Sequence, residues 1–432
     1  MVLIRYASIL GAFGMVAHIV TNILYTEYPL HFDGETEERF GDVRKAFQQN
    51  FLDGWEAEGA SLAVFVKGQK VVDIWGGYAD KHADRKWKQD TLSVVFSSTK
   101  AVAALCIAIL ADRGRLSYDD LVSKHWPGFA KNGKENITIE WVMSHMSGLP
   151  YLDTIITEAI AVDHNLMKNV LEEEEPKFTP GISTGYHAFT FGWLVDQIVR
   201  HTDEKQRGIG QFLREEVTEP NGIDFHIGLD LSQEYRVARV SLPRILDAIS
   251  EIWSDMYMIE QFFHIVTLGK NSALHRAANN PSWINVLFKC TVNNPEQHAL
   301  EQAAALGIGN ARSLATMFNL LVTGHLVSEK TLAILQKPVI NETDYVINVP
   351  VAKGHGFLYV PIPEAKDSIL IVHPGNGCQQ ISFDIHNQIV VSYVTNGLKV
   401  GNFDHCRNYK RIHYAIYGAL ENFNNSLKPE EA

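Results

Sequence analysis

Four cysteines in 432 residues, Cys106, Cys290, Cys378 and Cys406, are too few and too scattered for a disulfide framework, and no C-x-x-C pair occurs. A zinc ribbon and a thioredoxin-type redox site are therefore excluded, and free buried thiols are expected. The 18 histidines include no H-E-x-x-H, so a metalloprotease-type centre is absent. His145 reads as a structural hydrogen-bonder. Positive charge is also in deficit: 38 Lys and Arg face 50 Asp and Glu, giving a net charge of −12. No basic stripe interrupts the acidic balance, so nucleic acid is not expected as a partner. Internal repeats and Pro/Gly/Ser-rich linkers are lacking too.

One long uncharged run exists. Tyr6 to Leu24 contains no Asp, Glu, Lys or Arg, with Arg5 before it and Glu27 after it. Its length is close to the ~20 residues that span a bilayer. The reading is a signal anchor or uncleaved signal over residues 1–26, followed by one large domain over 27–432. Membrane anchoring through residues 6–24 would place the body in the secretory pathway or outside the cell. A mitochondrial address is the alternative, and a buried or peripheral helix is the plainer one. The sequons at Asn136, Asn341 and Asn424 permit a luminal body. They are no more numerous than chance allows.

Beyond the run the chain alternates between two patterns. Glu37 to Glu58 has Phe40, Val43, Phe47 and Phe51 at helical spacing. Ala60 to Gly76 reads as a β-hairpin around Gly68-Gln69. Ser98 to Arg113 is an Ala-rich helix stopped by Gly114. A mainly helical stretch runs to about Asn294 and carries an acidic run, Glu172 to Glu175, read as a solvated helix end. Ala311 to Val322 is a further helix. Strands return at Ile369–Val372, Gln380–Asp384 and Ile389–Val394, and Tyr409 to Leu420 closes the chain as a helix. The predicted class is α/β of the α+β kind: an antiparallel sheet flanked by helices plus a mainly helical lobe. The sheet lobe takes about 37–118 and 300–432, and the helical lobe about 119–299. A site would lie in the cleft between them.

Ser97-Ser98-Thr99-Lys100 is the only S-x-x-K in the chain. The tetrapeptide alone is weak, since about one match arises by chance. Its position at the start of the Ala-rich helix is more telling. There the Ser97 hydroxyl meets the positive end of the helix dipole, and its backbone N–H is free for an oxyanion. Residue i+3 lies on the same face, so the Lys100 amine can reach Ser97. A desolvated lysine can take the serine proton. An N-cap Ser beside an exposed Lys is the plainer reading. Tyr186, in Gly185-Tyr186-His187-Ala188, can serve as a base near cationic groups, or simply as a core tyrosine. His373-Pro374-Gly375-Asn376-Gly377 ends an apolar strand, where Gly-rich backbone can present an oxyanion N–H, or merely turn. Two other matches lack context. Gly181 to Gly185 fits G-x-S-x-G around Ser183, but no strand leads into it. Gly128 to Lys134 has P-loop spacing, but Glu135 stands where Ser or Thr would hold magnesium.

Taken in order, these blocks resemble the serine β-lactamase and penicillin-binding-protein superfamily, and most nearly its class C and esterase-like (family VIII carboxylesterase) branch. The likeness covers roughly Glu37 to Ile416. It rests on Asp73 to Asp80, on Phe96 to Lys100, on Trp141-Val142-Met143-Ser144-His145-Met146-Ser147-Gly148-Leu149-Pro150, and on Pro180-Gly181 with Gly185 to Trp193. The resemblance implies that Ser97 forms an acyl-enzyme while Lys100 and Tyr186 share the proton transfers. His373 falls at the K/H-x-G motif, to bind a substrate carboxylate when protonated or to polarise Tyr186. The N–H groups of Ser97 and Asn376 would form the oxyanion hole beside Gly375. The substrate would be a small or medium ester or amide, and no cofactor is needed. Two departures stand out. Ala188 replaces the Asn of Tyr-x-Asn, which points toward esters and away from β-lactams. Cys378 and Gln379 replace glycines, and their bulk is expected to narrow or block the cleft. The rival reading is a non-catalytic, assembly-forming protein on the same fold, as some animal members are. The sequence does not define the oligomeric state.

Overall fold

The computed structural model describes residues 29–286, 289–361 and 369–426. The run Tyr6–Leu24 and the boundary at 26/27 lie outside the described residues. Among the described residues no helix is long and apolar enough to cross a membrane.

Strand β1 (Phe32–Thr36) precedes helix α1 (Gly41–Leu52). Next come β2 (Gly59–Val66) and β3 (Gln69–Asp80). Helix α2 spans Thr99–Asp112. The middle of the chain contributes α3 (His164–Glu173), α4 (Thr190–Thr202), α5 (Ile245–Trp253), α6 (Met256–Thr267), α7 (Ala273–Ala278) and α8 (Ala311–Val322). Strands β4 (Ile340–Thr343), β5 (Pro350–Gly354), β6 (Phe357–Pro361), β7 (Ile369–Gly375), β8 (Gln379–Asp384) and β9 (Ile389–Thr395) follow. Helix α9 (Arg407–Ser426) ends the described chain.

The main sheet runs β1-β3-β2-β9-β8-β7-β6-β5-β4, antiparallel throughout. The two ends of the sequence meet at its centre, where β9 pairs with β2 from Ile389↔Val66 to Thr395↔Ala60. Side-chain alternation sorts the two faces. Ala60, Leu62 and Val64 join Val43, Phe47, Tyr409 and Ile412 under α1 and α9. Ala63 and Phe65 face the larger core with Leu105, Phe318 and Phe383. Helix α2 is buried from Thr99 to Leu110. Such a helix is apolar on every side, which explains its alanine content. Each large aliphatic chain buried there contributes roughly 1.5–3 kcal/mol. From Phe32 onward the described residues form one compact unit.

The sheet, the helical middle and most boundaries match the sequence expectation, with four corrections. Cys378 and Cys406 are disulfide-bonded, leaving Cys106 and Cys290 free. The hairpin turns at Lys67-Gly68, whose φ values of 50° and 83° suit the strand twist, rather than at Gly68-Gln69. The first helix stops at Leu52, well before Glu58. The acidic run is not simply solvated. Glu172 accepts from the Trp126 indole at 2.7 Å, and Glu174 is buried and paired with Lys177. Glu173 and Glu175 remain surface charges, and Glu173 bridges to Lys131 at 2.6 Å.

Candidate active site

Phe96–Ser98 forms a single 3₁₀ turn that feeds α2. Phe96 has a φ of 45°, a left-handed conformation that costs an L-residue about 1–2 kcal/mol. Its neighbours hold it there. The Thr99 hydroxyl donates to the Phe96 carbonyl at 2.5 Å and accepts from the Gly307 N–H at 2.9 Å. The Ser98 hydroxyl donates to the His373 carbonyl at 2.9 Å. Two of three successive hydroxyls are thus committed to anchoring. The third, on Ser97, is partly exposed.

Lys100 is wholly buried, and no carboxylate pairs with it among the described residues. Its Nζ lies 2.9 Å from the Ala188 carbonyl, 2.9 Å from the Ala304 carbonyl and 3.4 Å from Ser97 Oγ. Burial pushes the amine well below the usual lysine range. A neutral amine has two N–H bonds and one lone pair. With both hydrogens on carbonyls, the lone pair is left for the serine proton.

Tyr186 is partly exposed and hydrogen-bonds Ser97. The Lys100 Nζ sits 4.8 Å from its ring centroid. Burial raises the phenol above its ordinary range. A phenol raised in this way gives up its proton less readily, which suits a proton donor better than a base.

The backbone behind Tyr186 is fixed by a network that sequence reading missed. The His187 Nδ1–H donates to the Gly185 carbonyl at 2.6 Å, while its Nε2 accepts from the Leu149 N–H at 3.2 Å and meets the Ser147 hydroxyl at 2.7 Å. Burial lowers the imidazole to about 3, so it is neutral. The His187 N–H donates in turn to His145 Nδ1 at 3.1 Å. Asp344 accepts from the backbone N–H groups of Tyr186, Val346 and Ile347 at 3.1, 2.7 and 2.9 Å. Buried Lys353 pairs with Asp344 and donates to the Thr184 hydroxyl at 2.9 Å. Asp344 and Lys353 lie more than 150 residues beyond Tyr186, in a segment with no motif. Only the Asp itself, a residue that often caps turns, hinted at its role.

The opposite wall is β7. A Cβ at Gly375 would lie 2.3 Å from the Val95 carbonyl and 3.1 Å from the Ser98 nitrogen, so only glycine lets this strand approach the Ser97 turn. Asn376 is exposed in the turn joining β7 to β8. His373 is 1% exposed, and its ring centroid is 6.5 Å from that of Tyr186. Burial, with Lys100 nearby, lowers its imidazole to about 3. A protonated His373 that grips a carboxylate is thereby disfavoured. The two departures in this strand do not act as sequence suggested. Cys378 is tied to Cys406, and the Gln379 amide is bonded both ways to the Thr395 backbone at 2.8 and 2.9 Å. Both side chains are buried and committed elsewhere.

Near Tyr186 the surroundings turn apolar. Tyr186 and Ala188 pack with Tyr151, Leu274 and Val346. Ser183 follows a turn rather than a strand, and Lys134 is spent on the Glu172 and Glu174 carbonyls. No cluster of possible metal ligands occurs among the described residues.

Comparison with known proteins bears on the fold and the family. Esterase/beta-lactamase LipL of Mycobacterium tuberculosis is 32% identical over 297 residues, which cover 67% of this chain and 64% of LipL. The chain thus spans just under two thirds of that relative. The crystal structure of a family VIII carboxylesterase superposes with a TM-score of 0.77 at 28% identity, covering 90% of this chain and all of the other. A penicillin-binding protein homologue from Caulobacter crescentus gives 0.75 at 30% identity, over 90% of this chain and all of that one. The Beta-lactamase family model matches residues 47–415, and the chain belongs to that family.

Proposed function

We propose that the protein is a serine hydrolase that cleaves carboxylic esters through an acyl-enzyme on Ser97. The observation that carries this reading is Lys100: a fully buried amine with no carboxylate partner among the described residues, its hydrogens turned to two carbonyls and Ser97 beside it. A neutral Lys100 takes the Ser97 proton as Oγ attacks the ester carbonyl. The Ser97 N–H, with that of Asn376, receives the oxyanion. Tyr186 gives its proton to the leaving alkoxide and regains one from the Lys100 ammonium. The alcohol departs, leaving acyl-Ser97. Water then adds, losing its proton to Lys100, and the acid leaves as Ser97 is reprotonated. His373, held neutral, lines the site as a polar wall.

Esters are favoured over β-lactams by Ala188 and by the apolar packing around it. The names of LipL and of the carboxylesterase neighbour point the same way. The test is labelling by a fluorophosphonate probe with p-nitrophenyl ester hydrolysis alongside. Wild type and Ser183→Ala should react, and Ser97→Ala should not. Labelling lost only in Ser183→Ala would reject the assignment, as would β-lactam turnover exceeding ester turnover. We further propose a luminal or external body, tethered through residues 6–24. The Cys378–Cys406 disulfide supports an oxidising compartment. Glycosidase sensitivity at the exposed Asn136 and Asn341 tests it, and an unshifted protein would count against it.

A further inference from the structure

Helices α5 and α6 form a hairpin that is inside out. The buried residue of α5 is Glu251, and that of α6 is Met258. Facing water instead are Ile245, Leu246, Trp253 and Met256, each 69–79% exposed, with Phe263 at 58% and Phe262 at 45%. Among the described residues, nine of the 23 exposed large hydrophobic ones fall within positions 245–266. On α5, residues 245, 249 and 253 repeat at helical spacing, so they share one outward face. A monomer in water gains nothing from this concentration, which marks a contact surface.

Three of the four carboxylates of the hairpin are already engaged. Glu251 accepts from the Val400 and Gly401 N–H groups at 2.9 and 3.2 Å. Asp255 caps Tyr257 and pairs with His405 at 2.7 Å, and Asp247 pairs with Arg244 at 2.5 Å. Glu260 is exposed. The outer face can therefore leave water without stranding most of its charges. Arg244 and Lys270 are exposed at the two ends of the hairpin, where phosphate headgroups would lie. Indole and phenyl rings are the side chains that favour the membrane interface. The acidic body, at net −12, favours a zwitterionic surface over an anionic one. The same chain also carries the charge-free run Tyr6–Leu24, a second feature with an affinity for lipid.

We propose that α5–α6 is a lipid-docking element that seats the protein on a phosphatidylcholine-type bilayer. The hairpin is pinned to residues 400–407, and Cys406 in that loop is bonded to Cys378, three residues past Gly375. Docking would therefore bring the rim of the cleft to the membrane, and esters dissolved in lipid become its natural substrates. That last step rests on the serine-hydrolase reading; the docking itself does not.

The experiment uses the full chain and vesicles of phosphatidylcholine with brominated acyl chains, which quench tryptophan on contact. The run at 6–24 contains no tryptophan. Wild type should co-sediment and lose a fluorescence component that is missing in Trp253→Phe. Trp253→Ser/Phe262→Ser/Phe263→Ser should keep its unfolding midpoint and its hydrolysis of a soluble ester, and Phe262→Ser/Phe263→Ser, which keeps the reporter, should lose most of the Trp253 quenching whether or not the run at 6–24 holds the chain to the vesicle. Co-sedimentation without Trp253 quenching would overturn the proposal, as would failure to bind. A triple variant that changes only from dimer to monomer would overturn it in favour of self-association. Loss of soluble-ester activity in wild type as well would reject the hydrolase reading and leave the docking result intact.

Discussion

Two buried lysines stand on either side of Tyr186, and they differ in company. Lys353 faces a carboxylate, Asp344, with the Thr184 hydroxyl beside it. Lys100 faces two carbonyls and a serine. Burial lowers both amines, but Asp344 pushes Lys353 back up, while nothing offsets the effect at Lys100. Within one protein, a paired lysine holds a loop in place and an unpaired one becomes a base. The carboxylate makes the difference, since burial is common to both.

The comparison breaks most readily at Lys100. Ser97→Ala and Lys100→Arg are each expected to cut kcat/KM for p-nitrophenyl esters by about a thousandfold or more. The guanidinium supplies a fixed charge but cannot give up its proton. An active Lys100→Arg would show that charge, not basicity, is what the site needs.

Around Lys353 the expected loss is stability. Asp344→Asn preserves the acceptor for the Tyr186 N–H but strands a buried ammonium, at about 3–5 kcal/mol by denaturant unfolding. Adding Lys353→Met should recover part of it, and the double-mutant cycle reads the coupling. Lys100→Met strands no carboxylate, so its cost should be the smaller, about 1–2 kcal/mol for two unmet carbonyls.

The wall opposite the lysines is tied by the disulfide, which closes a loop with a sequence separation of 28. Cys378→Ser/Cys406→Ser should lower stability by about 3 kcal/mol on chain-entropy grounds. Slower labelling of Ser97 in that variant would show that the β7–β8 turn needs the tether.

A further effect concerns acid and is spread over several pH units. His187 and His373 are held near 3 in the folded protein, against about 6.5 in an unfolded chain. The unfolded state thus binds more protons between these values. Stability is complete above pH ~6.5 and is lost as pH falls toward 3. Melting temperature against pH should show this slope, and His187→Gln should flatten part of it.

Much of this was legible in sequence, because local rules carried it. The S-x-x-K turn, the Ala-rich helix and the alternating strands each announce themselves within about fifteen residues. What was not legible depends on distance. Cys378 and Cys406 share no spacing signal, and their pairing follows from where the β7–β8 turn meets the start of α9. Asp344 and Lys353 look like ordinary loop and strand residues until the fold buries them behind Tyr186. Burial also sets the direction in which the His373 imidazole and the Tyr186 phenol shift, which sequence does not show. Sequence supplies the titratable group, and burial decides its proton.

The most direct test of the central claim, a neutral Lys100 as the base for Ser97, is the rate of fluorophosphonate labelling against pH. The account predicts a rate that rises through one ionisation well below the ~10.4 of free lysine, and a limb that vanishes, with most of the rate, in Lys100→Arg. The same limb persisting in Lys100→Arg would contradict it and assign the proton transfer to another group.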